Sequence, residues 1–188
     1  MNISLTQILI IINTCMYLQY DLFSIFLKKY ALFSPSLISN FADVPRLIVP
    51  HFSHINFFHL VINMLSLSRT GLIMEHMLGD HFLTITFLLG ILSSIFHILL
   101  SYVSCYIYNN QATFYTKSMG FSCILFALKY IYLNRLNRTI NMFGYDINSK
   151  YAIWYDLAIA QILIPNASFI GHLSGIFAGI LVNEIILI

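Results

Sequence analysis

Six apolar stretches separated by short polar connections constrain this chain more than any other feature. They cover about residues 5–27, 56–74, 81–107, 118–133, 151–164 and 168–188. A helix needs about 20 apolar residues to cross a bilayer. A chain of 188 residues therefore has room for six spans and for no separate soluble domain. Charge agrees with this reading. Only 9% of the residues are charged, against about 25% in soluble domains, and the mean hydropathy is +0.82. The fold class expected is all-α integral membrane, one unit over residues 1–188. The lipid bilayer is its expected surroundings. A net charge of +2 is too small to argue for nucleic acid. Three cysteines without metal-ligand spacing exclude a disulfide scaffold and a zinc site. No metal or other cofactor is expected.

The connections carry their own signals. The first stretch lacks a basic leading region and a small-residue cleavage site, so it reads as a retained span. Residues 30–54 are too polar to cross lipid and too apolar to float free. Their prolines Pro35, Pro45 and Pro50, with Phe33, Phe41, Leu47 and Ile48, suggest a loop lying partly in the interface. Residues 108–117 read as a polar loop, residues 134–150 as a basic segment, and Pro165-Asn166 as a turn. Arg69, Arg135, Arg138 and Lys150 fall on one side of the membrane, against Lys28, Lys29, Arg46 and Lys117 on the other. Balanced in this way, the cations give the positive-inside rule no orientation to choose.

Polar residues inside spans are costly, and each is a functional hypothesis. His59 and Asn63 stand four apart, on one helix face. They read either as interhelical hydrogen-bonding glue or as paired donors pointing into a site. Two further histidines, His51 and His54, precede them. Gly120-Phe121-Ser122-Cys123 opens the fourth span, where Gly120 permits close backbone approach. Serine in such a helix is also a common packing residue. Gly171, Gly175 and Gly179 form a small-residue ridge on the sixth span, and His172 adjoins it. If the fourth span packs on that ridge, His172 reaches Ser122. Asp21 and Asp156 are read as charges paired with a lysine or a backbone donor. Glu75, His76, Asp80 and His81 look like solvated loop residues. Each cluster alone is weak, but together they supply a nucleophile, a base and oxyanion donors on three helices.

In order along the chain, these segments resemble the rhomboid family of intramembrane serine proteases, and within it the endoplasmic-reticulum branch. The matching elements are Arg46 before His54, His59 and Asn63, then Gly71 and Glu75. Gly120-x-Ser122 follows, and last comes Gly171-His172-x-x-Gly175-x-x-x-Gly179. The resemblance implies a six-helix rhomboid fold with a partly embedded first loop and a water-filled cavity at membrane depth. It implies a Ser122–His172 dyad without an acid. The Ser122 backbone N–H, His59 and Asn63 would hold the oxyanion. Phe126 would stack on His172, with Gly120, Gly175, Gly179 and His54 in support. The implied substrates are single-span membrane proteins with a weakened helix, and the implied compartment is the endoplasmic-reticulum membrane.

Two departures from the family pattern touch the site. Cys123 replaces the second Gly of the usual Gly-x-Ser-Gly and adds a side chain where backbone lies close to substrate. No histidine is placed by motif to act on its thiol. Pro45 stands where a Trp usually precedes the loop Arg. The chain also ends at the sixth span, short of the long tail through which the nearest branch recruits partners. A catalytically silent, client-binding relative in membrane protein quality control is the alternative, although such proteins usually lose the Ser or the His. A channel or transporter would show inverted repeats, and none stands out.

Overall fold

The computed structural model describes residues 3–18, 25–142 and 144–187, apart from the side chains at 26 and 27. Asp21, residues 19–24 of the first predicted span, and the last residue of the sixth lie outside the described residues.

The chain is mostly helical. In order it forms α1 (Leu5–Leu18), α2 (Ile25–Tyr30), α3 (Phe57–Leu78), α4 (Phe82–Tyr108), α5 (Ala112–Tyr115), α6 (Ser122–Leu136), α7 (Ser149–Leu163) and α8 (Phe169–Ile185). The stretch Phe57–Tyr108, α3 and α4 joined by a 3-10 turn, is long and apolar enough to cross a membrane, with mean hydropathy 2.2. α1 and α8 are shorter apolar helices. α6 and α7 have 15 residues each, short of the roughly 20 of a perpendicular crossing. α6 begins at Ser122 rather than at 118, so residues 118–121 are loop. Large apolar side chains such as Leu65, Leu72 and Leu99 point outward, as a lipid-facing surface requires.

The main core cluster surrounds α6, and a smaller one joins Ile153 and Leu157 of α7 to Ile176 of α8. Leu67 and Met74 of α3, Phe82 and Leu89 of α4, and Ile124, Leu128 and Ile131 of α6 are fully enclosed. α1 crosses α3 at Gly71, where a Cβ would stand 2.8 Å from Thr6 Cγ2. Glu75 belongs to this crossing and is not a solvated loop residue. Its carboxylate accepts the backbone N–H groups of Leu5 and Thr6, both at 2.8 Å. These are donors that the first turn of a helix cannot satisfy itself. A negative charge there also complements the helix dipole.

Two connections differ from the sequence reading. The basic segment holds a two-stranded antiparallel hairpin, β1 (Thr139–Met142) and β2 (Tyr145–Asn148), with Thr139 opposite Asn148. Gly144 in its turn has φ +86, a conformation that side chains disfavour. Residues 30–54 fold into three 3-10 turns, Pro35–Leu37, Phe41–Leu47 and Val49–Phe52. Short i→i+3 turns suit a segment whose prolines remove helix donors. Arg46 anchors them. Its guanidinium donates to the Leu32 carbonyl at 2.9 Å, lies 3.7 Å from Asp43, and sits over the Tyr30 ring. The Ser39 backbone N–H foremost holds the Asp43 carboxyl below the usual carboxylate range; burial opposes it, and Ser39 Oγ, the Asn40 N–H and Arg46 assist. Asp156 is paired as expected, with Lys129 Nζ at 3.0 Å, which ties α7 to α6.

Candidate active site

The glycines of α8 decide where the site forms. A Cβ on Gly175 would stand 2.1 Å from the Cys123 carbonyl oxygen, and one on Gly179 2.7 Å from that of Ala127. Only a hydrogen fits at either place, so the α8 backbone lies directly on α6. Both contacts advance by four residues, so the helices run side by side in the same sense. One turn before Gly175 is His172, and one residue before Cys123 is Ser122. Both side chains therefore arrive at the same end of the same interface. The α8 N-terminus is fixed there by Ser168, whose Oγ accepts the Gly171 N–H at 3.0 Å.

Ser122 and His172 line a cavity of about 100 Å³ together with His59, Gly120, Cys123 and His51. Its inner wall is polar, formed by Ser93, Ser94, His97 and Ser174. Ser122 is the first residue of α6, so its backbone N–H is one of the orphan donors of a helix start and is free for an anion. His172 is 7% exposed, and its ring stacks on Phe126 with centroids 4.5 Å apart and planes at 28°. Nδ1 of His172 is sealed without a hydrogen-bond partner, which leaves Nε2 as the ring nitrogen open to the cavity. Among the described residues no carboxylate pairs with it. Ser122 and His172 share the cavity without a hydrogen bond between them. Catalytic hydrogen bonds commonly tighten only once substrate is bound.

The opposite wall comes from α3. Gly120 has φ +124, and a Cβ there would lie 2.5 Å from His59 Cε1 and 2.9 Å from its Nε2. A glycine is thus required twice over, by its backbone angle and by the imidazole pressed on it. His59 Nδ1 is enclosed and Nε2 faces the Gly120–Ser122 turn. Asn56 caps α3 by accepting the His59 N–H at 2.8 Å. Asn63 is buried one turn deeper and does not line the cavity. Its Nδ2 donates to the His59 carbonyl at 2.9 Å. His54 also stands outside the cavity, packed edge-on to His59 at 5.2 Å.

Two features escaped the sequence reading. Phe33 and Ser118 exchange backbone hydrogen bonds of 2.9 and 2.8 Å, tying the first loop to the segment leading into Ser122. His51 lies on Cys123, with Nδ1 3.1 Å from Sγ. The thiol does have an imidazole, and the expectation that none is placed for it is corrected. The cause is distance in sequence: 72 residues separate the two, so no local spacing announces the pair.

A half-buried Ser122 and a buried His172 line one cavity, within helices clad in apolar side chains, as suits a membrane-embedded protein. The chain belongs to the rhomboid family. The model of the rhomboid domain matches residues 41–188. Rhomboid-like protein 14, mitochondrial, of Arabidopsis thaliana is 36% identical over 151 residues, 79% of this chain and 45% of its own length. Rhomboid-related protein 4 of Rattus norvegicus is 30% identical over 144 residues, 76% of this chain and 46% of its own. The chain thus spans less than half the length of these curated relatives.

Proposed function

We propose that this protein is an intramembrane serine endopeptidase with six membrane spans and a Ser122–His172 dyad. The observation that carries the reading is the contact of Gly175 on Cys123, which puts Ser122 and His172 on one cavity. The reading assigns each group a step. The Ser122 hydroxyl oxygen attacks the scissile carbonyl carbon while His172 Nε2 takes its proton. The carbonyl oxygen, now an anion, is held by the Ser122 N–H and His59, with Asn63 bracing His59 through its carbonyl. When the C–N bond breaks, His172 returns the proton to the leaving amine. Water then releases the acyl group by the same steps, with His172 again as base. Phe126 holds the imidazole in plane, and no cofactor is needed. Such donors aimed at a developing charge are commonly the largest single contribution to catalysis.

The proposed substrates are single-span membrane proteins whose helix is weak near the membrane boundary. A protease cuts extended backbone, and helix-breaking residues lower the cost of exposing it. The proposed compartment is the endoplasmic-reticulum membrane, supported by the likeness to proteins named rhomboid-related protein 4. Fractionation distinguishes it from the mitochondrial location that the name of the Arabidopsis relative carries.

A second reading is a silent, client-binding member of the family. The missing hydrogen bond between Ser122 and His172 favours it. Purified protein in detergent with a generic single-span rhomboid substrate separates the two readings. Wild type should cut and Ser122→Ala should not, with both proteins equally folded. Equal cleavage by Ser122→Ala would remove the serine mechanism, and a folded wild type that binds without cutting would favour the silent reading.

A further inference from the structure

We propose that Cys123 is a positioning residue, whose thiol, hydrogen-bonded to His51, clamps the turn that carries Ser122. The inference rests on the reading of Ser122 as nucleophile. His51 Nε2 lies 2.9 Å from the Gly90 carbonyl oxygen, which can only accept, so Nε2 carries the ring proton. Ser94 Oγ, 3.0 Å from the same nitrogen, spends its own proton on the Leu47 carbonyl and therefore accepts too. Nδ1 is then the acceptor, and the Cys123 S–H donates to it at 3.1 Å.

The neighbour of His51 completes the clamp. Pro50 accepts the Gly120 N–H at 2.9 Å. Two consecutive residues of the Val49–Phe52 turn therefore hold Gly120 and Cys123, the residues on either side of Phe121-Ser122. The turn is itself anchored, because a Cβ on Gly90 would lie 3.2 Å from the His51 ring. α4 is packed against the imidazole from behind. Cys123 is pressed from the other side by the α8 backbone at Gly175. Ser122 makes no side-chain hydrogen bond of its own, so its neighbours set where its N–H and Oγ point. A glycine at 123, the usual family residue, offers nothing to His51. This chain has exchanged close backbone approach for a side-chain tether, and restoring glycine should impair it.

The test compares wild type with Cys123→Ser, Cys123→Ala and Cys123→Gly in detergent, reading kcat and KM separately, melting temperature, and amide hydrogen exchange across residues 118–125. Cys123→Ala and Cys123→Gly should lower kcat by about tenfold, the scale of one neutral hydrogen bond, with KM unchanged and faster exchange at Gly120–Ser122. Cys123→Ser, whose hydroxyl still donates, should recover most of the loss. His51→Asn, which keeps an acceptor near the Nδ1 position, should outperform His51→Ala. Wild-type kcat and exchange in Cys123→Gly would overturn the clamp, as would a Cys123→Ser that fares no better than Cys123→Ala. Should wild type itself not cut, the proteolytic reading falls. The clamp is then judged on exchange alone, where equal protection in wild type and Cys123→Ala overturns it.

Discussion

The two walls of the cavity are built by different means. On the α6–α8 side backbone lies on backbone at the site: Gly175 and Gly179 let the α8 chain rest on the Cys123 and Ala127 carbonyls. On the side of the first loop and α3, separate groups meet the turn before α6: the His51 ring bonds the Cys123 thiol, the Pro50 carbonyl accepts the Gly120 N–H, and the His59 ring packs on Gly120. Close packing is rigid and intolerant of volume. A hydrogen-bonded wall tolerates shape change but not loss of a donor or acceptor. The difference teaches how one site can hold His172 by close packing while hydrogen bonds set the turn that carries Ser122, the proposed nucleophile.

The largest effect should come from adding volume to the rigid wall. Gly175→Val would drive methyl groups into the Cys123 carbonyl, and overpacking of this kind costs about 1–3 kcal/mol or more. Helix separation should also move His172 away from Ser122. Melting temperature and cleavage should therefore fall together, and an active, unshifted Gly175→Val would mean that the helices are not in contact there. On the adjustable wall the effects should be graded. His59→Ala should cut turnover by about two to three powers of ten, as other lost oxyanion donors do. Asn63→Ala should cost less, because Asn63 acts through the His59 carbonyl. Equal losses at the two positions would mean that Asn63 donates to the anion directly.

The same contrast governs what could be read from the chain. The rigid wall was legible, since glycines at intervals of four and a histidine beside them are local patterns, and the Gly-x-Ser turn is equally local. The His59–Asn63 spacing was readable as one helix face, although the direction of the Asn63 amide was not. The adjustable wall was hidden. His51 meets Cys123 and Glu75 caps α1 across about seventy residues of sequence, and only the fold brings such pairs together. The 3-10 turns between Pro35 and Phe52 obey sterics imposed by prolines, which announce irregularity but not its path. The hairpin at 139–148 does carry local signals, the alternation of Ile140 and Met142 with Thr139 and Asn141 and the turn at Gly144, which the reading as a basic segment passed over.

The central claim is that Ser122 is a nucleophile activated by His172. Reaction of the folded protein with a fluorophosphonate, followed by mass spectrometry, tests this most directly, because it needs no substrate. The account predicts one phosphonylated site, Ser122, in wild type, with labelling lost in His172→Ala at unchanged melting temperature. A folded wild type left unlabelled at Ser122, or a His172→Ala protein labelled at the same rate, would contradict it.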